Sequence, residues 1–223
     1  MRKVEWLIFD LDGLLIDTER LYQVYWDRTF LENGIVIDKE QRLEIVGMGI
    51  ERVKDLFKAK YGDGETFDRL REIRDRYFWQ HVEEFGLPLK EGAINILQYA
   101  LNHQIKTALA TSSTQAKAYQ LLSYTSLNHP FDYMIYGDQV ERMKPDPDIF
   151  NRVIEDMQWN RNHGYILEDS YNGVWAANRA KIPVIWVKDM VDLSVKPELT
   201  IDVSCNSLHE ALELIKPTSR SLG

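Results

Sequence analysis

The chain has a single cysteine, Cys205, among 223 residues. It therefore forms no internal disulfide, nothing suggests a thiolate metal cluster, and the lone thiol reads as a small buried hydrophobe. Long apolar runs are also missing. The stretch from Trp6 to Phe9 is halted at once by Asp10 and Asp12, far short of a signal-peptide core, and no run approaches membrane-spanning length. A cytoplasmic protein with no membrane partner is the expectation. Basic charge is scarce: the formal net charge is -8 and the pI near 5.2. A nucleic-acid backbone needs a dense basic face, so small-molecule chemistry is expected instead. The five histidines, His81, His103, His129, His163 and His209, lack metal-ligand spacing, and no internal repeat or low-complexity tract is found.

What is present suits a globular protein. A hydrophobic content of 44% can fill a sizeable core. Short apolar runs end abruptly in polar residues: Trp6 to Phe9 before Asp10, Thr107 to Ala110 before Thr111, Tyr165 to Leu167 before Glu168, and Val184 to Val187 before Lys188. These read as buried strands. Amphipathic patterns between them, such as Ile149, Phe150, Val153, Ile154 and Met157, read as helices. The alternation predicts an α/β fold, a doubly wound parallel sheet covered on both faces. The stretch from about Glu19 to Gly86 carries helical, charge-rich and aromatic segments but no buried strand. It predicts an inserted α-helical domain, with helices over 20–34, 39–46, 52–61 and 67–85. The division is a catalytic core of 1–16 and 88–223 and a helical domain of 17–87.

In open parallel sheets ligands bind beyond the carboxyl ends of the strands, so the polar residues that end each run should converge. Asp10, Asp12, Thr111, Ser112, Glu168 and Asp169 then share one crevice. Four crowded carboxylates need a cation, a bound proton or a positive side chain to offset them, and hard oxygen ligands in that number favour magnesium. Lys144, between Met143 and Pro145-Asp146-Pro147, supplies a held positive charge or is a surface lysine beside a helix start. Thr111-Ser112-Ser113 offers hydroxyls and amides to an anion or caps a helix. Gly173 is expected to permit tight packing near the acidic pair.

In this order and context, Asp10-Leu11-Asp12-Gly13, Thr111, Lys144-Pro145 and Glu168-Asp169-Ser170 resemble the four motifs of the haloacid dehalogenase-like hydrolases. Asp17-Thr18-Glu19, the early helical insertion and Lys144-Pro145-Asp146-Pro147 are similar to the beta-phosphoglucomutase-like phosphatases with a small helical cap. The resemblance implies a Rossmann-like core and a magnesium-dependent phosphatase acting on a small phosphorylated metabolite; a monomer or weak homo-oligomer is the expectation for its assembly. By motif, Asp10 is the nucleophile and Asp12 the acid and base. Asp10, Asp169, Glu168 and the Asp12 carbonyl hold the metal, and Thr111, Ser112 and Lys144 hold the phosphoryl oxygens. Glu19 and Gly47, with Tyr22, Tyr25, Arg52 and Lys54, are candidate substrate contacts from the insertion, although Tyr22, Tyr25, Trp26 and Phe30 at helical spacing also read as packing. Two alternatives stand beside the phosphatase: a sugar-phosphate mutase, disfavoured by Tyr22 where the mutases have a histidine, and a metal-binding regulatory protein with lapsed activity.

Overall fold

The computed structural model describes residues 4–36, 50–61 and 65–216. It divides into two compact units, one built from Met1–Asp17 and Pro88–Gly223 and the other from Thr18–Leu87.

The first unit holds a six-stranded parallel sheet: β1 (Trp6–Phe9), β2 (Lys106–Ala110), β3 (Tyr133–Ile135), β4 (Gly164–Glu168), β5 (Val184–Val187) and β6 (Val203–Cys205). The spatial order is β3-β2-β1-β4-β5-β6, so the chain winds outward in both directions from β1. This is the doubly wound α/β arrangement expected from the alternating pattern. Its register sets the site, because Phe9 pairs with Leu109 on one side and Leu167 on the other. The residues that follow, Asp10, Ala110 with Thr111, and Glu168, are thereby brought to one edge.

The four strands read from the sequence are those whose apolar runs are buried on both faces. The strands β3 and β6 are additional. Each is three residues long at an outer position, and Tyr133, Met134 and Val203 are half-buried, so neither leaves a continuous apolar signal. Cys205 ends β6 as a buried side chain, and burial pushes its thiol up to about 11.

Helices α4 (Ala93–Asn102), α5 (Gln115–Ser123), α6 (Asp148–Met157), α7 (Tyr171–Ala180) and α8 (Leu208–Ile215) accompany this sheet, following the first two helices of the other unit and its third, given below. Ile149, Phe150, Val153 and Ile154 bury one face of α6 against Ile8, Ala108 and Ile166. Trp6 is enclosed, stacked on Trp159 at 5.3 Å, with its indole Nε1 donating to the Asn160 carbonyl at 3.0 Å.

The second unit consists of α1 (Thr18–Glu32), α2 (Ile50–Tyr61) and α3 (Glu65–Phe85). Its core is aromatic. Trp26 stacks on Phe30 at 5.0 Å and on Phe67 at 5.7 Å, while Phe57 lies 5.3 Å from Phe67. Tyr22 stacks on Phe78 at 4.2 Å, and the Arg74 guanidinium lies over the Tyr22 ring at 4.2 Å from its centroid. Tyr22, Trp26 and Phe30 thus pack, and Lys54 is paired with Asp68. The expected helix over 39–46 and the candidates Gly47 and the Arg52 side chain lie outside the described positions. Among the described residues no helix is long and apolar enough to cross a membrane.

Candidate active site

The site begins where β1 ends. After Asp10 the chain continues through Leu11 and Asp12 into a tight turn at Gly13, whose φ of 85° is left-handed and costs a glycine little. Gly13 N–H donates to the Ile16 carbonyl at 2.8 Å, and Ile16 bridges Leu89 of the returning segment. Asp17 N–H donates to Pro88 O at 2.9 Å and Lys90 N–H to Leu15 O at 3.0 Å. The Lys90 ammonium then reaches Asp189 at 2.7 Å and Asp17 at 3.5 Å. Both chain crossings are tied to the sheet unit on their own side.

Asp10, Glu168 and Asp169 are buried, and an oxygen from each lies within 4.8 Å of the others. Lys144 is buried among them. Its ammonium donates to Asp10 Oδ1 at 2.6 Å, Glu168 Oε1 at 2.6 Å and the Ala110 carbonyl at 2.9 Å. This is a cation held by the ends of three strands, so the surface-lysine reading does not hold. Lys144 precedes a cis peptide bond to Pro145, and α6 starts at Asp148.

The electrostatics follow from burial and a charge mismatch. Burial pushes Asp10 up to about 7, against the pull of the Lys144 ammonium and with the added repulsion of Glu168. Burial also works against the charge on Lys144, yet the Asp10 and Glu168 carboxylates outweigh it and hold the ammonium above the ordinary lysine range. The two directions agree physically: one ammonium is shared by two carboxylates, so it is strongly held while each acid is only partly compensated.

Glu168 and Asp169 are fixed from behind. Glu168 Oε2 accepts from Ser170 Oγ at 3.0 Å, and the same hydroxyl oxygen accepts from Gly173 N–H at 3.0 Å as it caps α7. Gly173 is required by contact: a Cβ there would stand 1.9 Å from Glu168 Cδ. The Asp169 carbonyl accepts from Trp186 Nε1 at 3.2 Å.

After β2, Thr111 is buried, and its Oγ1 accepts from Ser113 N–H at 3.0 Å. Its O–H hydrogen remains available to an anion. The cap of α5 is Thr114, whose Oγ1 accepts from Lys117 N–H at 3.3 Å, so Thr111-Ser112-Ser113 is not the cap. Ser112 is exposed. Ser113, which the sequence offers only as the last of the hydroxyl triplet, donates from Oγ to Asp12 Oδ2 at 2.8 Å. Three hydroxyl residues in a row gave no signal of which would turn toward Asp12. The Asp12 side chain is not part of the three-carboxylate group. Glu19 lies in the first turn of α1 in the helical unit.

These features have counterparts. The chain belongs to the haloacid dehalogenase-like hydrolase family, whose profile matches residues 7–187. It is 33% identical over 189 residues to the phosphorylated carbohydrates phosphatase of Thermotoga maritima, covering 82% of this chain and 84% of that protein. Protein CbbY of Cereibacter sphaeroides is 28% identical over 192 residues, covering 82% and 83%. A crystal structure of a candidate beta-phosphoglucomutase from Thermotoga maritima superposes with a TM-score of 0.76 at 28% identity, covering 95% of this chain and 98% of that one.

Proposed function

We propose that this hydrolase is a magnesium-dependent phosphatase of small phosphorylated metabolites, sugar phosphates first among them, working through a phosphoryl group carried on Asp10. The observation that carries the reading is Lys144 bridging Asp10 and Glu168 inside a buried three-carboxylate cluster. The similarity to a phosphatase of phosphorylated carbohydrates supports the substrate class.

The donor set fits magnesium, being all oxygen and carrying excess negative charge that one ammonium does not offset. Asp10 and Asp169 would hold the ion through side chains, Asp12 through its carbonyl, and Glu168 directly or through water. When bound, the ion supplies Lewis acidity and screens the repulsion between the Asp10 carboxylate and the phosphate.

The chain's own groups account for the remaining chemistry. An Asp10 oxygen attacks phosphorus as the bond to the leaving oxygen breaks, and Asp12 gives that oxygen its proton. Water then attacks phosphorus, Asp12 takes the water's proton, and the bond to Asp10 breaks to release inorganic phosphate. Lys144, the Thr111 hydroxyl and the Ser112 amide hold the equatorial oxygens, where preset donors count most as charge redistributes. Substrate selection by the helical unit, with Glu19 and Gly47, belongs to the same proposal and rests on the family resemblance.

Phosphate release from a panel of phosphorylated metabolites, with magnesium present or chelated, tests the reading. The panel includes beta-glucose 1-phosphate with and without its 1,6-bisphosphate, because one similar structure is a candidate mutase. Magnesium-dependent release from a few sugar phosphates is expected. Conversion to glucose 6-phosphate with little free phosphate would replace the phosphatase by the mutase, and no turnover on any compound would leave the lapsed regulatory protein.

A further inference from the structure

The segment after β2 grips both oxygens of Asp12, the group assigned above as proton donor and acceptor. Ser113 donates its hydroxyl hydrogen to Asp12 Oδ2 at 2.8 Å, and the Lys117 ammonium stands 3.8 Å from Oδ1. Ser113 is buried, while the Lys117 side chain is 39% exposed.

The Ser113 side of the grip is set by the loop's own backbone contacts. Ser113 N–H is held by Thr111 Oγ1 at 3.0 Å and its carbonyl accepts from Gly137 N–H at 2.9 Å. Gly137 is what lets the two loops meet, because a Cβ there would lie 2.3 Å from the Ser112 carbonyl oxygen. The Lys117 backbone sits in the first turn of α5, where its N–H donates to the Thr114 cap. From the other side, Asp12 bridges Ile16 across the turn at Gly13.

We infer that Ser113 and Lys117 are positioning residues for Asp12, which orient its carboxyl group for proton transfer to the leaving oxygen. This rests on the phosphatase reading. A carboxyl group whose Oδ2 already accepts the Ser113 hydrogen carries its transferable proton on Oδ1. As the P–O bond breaks, that proton passes to the leaving oxygen, and the carboxylate left behind is stabilised by the Ser113 hydrogen bond and the Lys117 charge. The next proton comes from the attacking water and returns to the same oxygen. Thr111 and Ser112 contact the phosphoryl group in this scheme, whereas Ser113 and Lys117 act only through Asp12.

The dependence on leaving group separates positioning from mere structure. A poor leaving group such as an alkoxide needs the proton, while 4-nitrophenolate departs without it. The readout is the ratio of kcat/KM for the fastest alkyl ester of the metabolite panel to kcat/KM for 4-nitrophenyl phosphate, since kcat/KM covers the steps through phosphorylation of Asp10. Loss of a hydrogen bond to a charged group corresponds to roughly a 10-fold or greater effect. Ser113→Ala is expected to lower the ratio by about 10-fold, Ser113→Thr to restore it, and Lys117→Met, at a more exposed pair, to lower it about 2-fold to 5-fold. Thermal melting accompanies each variant. Should Ser113→Ala fail to fold, Lys117→Met and Ser113→Thr decide the matter.

An unchanged ratio in folded Ser113→Ala and Lys117→Met, or equal losses on both esters, overturns the positioning role while leaving the phosphatase intact. Phosphate release by Asp10→Asn equal to that of the wild type would instead sink the underlying mechanism. The two failures are therefore read from different variants.

Discussion

Replacing Lys144 with methionine keeps most of the side-chain volume and deletes the one ammonium bound to both Asp10 and Glu168 at 2.6 Å. Removing one partner of a buried ion pair costs about 3–5 kcal/mol, because the other charge stays behind without compensation. Against a typical total of about 5–15 kcal/mol, Lys144→Met should be folded but visibly weakened. The loss should also depend on pH with a definite sign. Asp10 is already pushed up to about 7 by burial with the ammonium in place, and its removal takes away the main influence that lowers it. A carboxyl whose folded value is raised favours the fold while protonated, and that contribution is lost as pH rises from the unfolded range through the folded value. The variant should therefore lie nearer the wild type at pH 5 than at pH 8. Urea unfolding in the presence of a chelator measures this, and magnesium should return part of the lost stability at pH 8 by supplying positive charge to the same carboxylates. Equal stability of the two proteins at pH 8 without metal would refute the reasoning. So would a deficit that grows toward acid pH.

Gly173→Ala places a Cβ 1.9 Å from Glu168 Cδ, so Glu168 must move; a stability loss of about 1–3 kcal/mol in urea unfolding and a fall in kcat are expected. Burial holds His129 below the ordinary histidine range, with Asp132 opposing. The fold thus favours neutral His129, and its contribution is lost as pH falls below the unfolded value of about 6.5. His129→Gln should flatten the decline of the melting temperature between pH 7 and pH 5, as read by scanning calorimetry.

The parts of the fold legible in the sequence are those where one physical demand dominates. Strands β1, β2, β4 and β5 are buried on both faces, so each had to be a short apolar run. The acids at their ends were found because parallel strands bring their carboxyl ends together. Lys144 could not be told from a surface lysine in sequence, since its burial comes from contacts with Asp10 and Glu168, 134 and 24 positions away. The strands β3 and β6 escaped because each is three residues long with only its last residue buried, which leaves no periodic signal. The contact of Ser113 with Asp12 was hidden for another reason. Its role depends on the Thr114 cap and on the close approach of Gly137, and both are fixed only when the loops meet.

Under the proposed mechanism Asp10 carries the phosphoryl group. The enzyme is quenched in acid during turnover of its best sugar phosphate, reduced with borohydride, digested, and analysed by peptide mass spectrometry. The account predicts homoserine at position 10, formed by reduction of an acyl phosphate, and its absence when substrate is omitted. Continued phosphate release with Asp10 unmodified, or reduction at Asp12 or Asp169 instead, would contradict it.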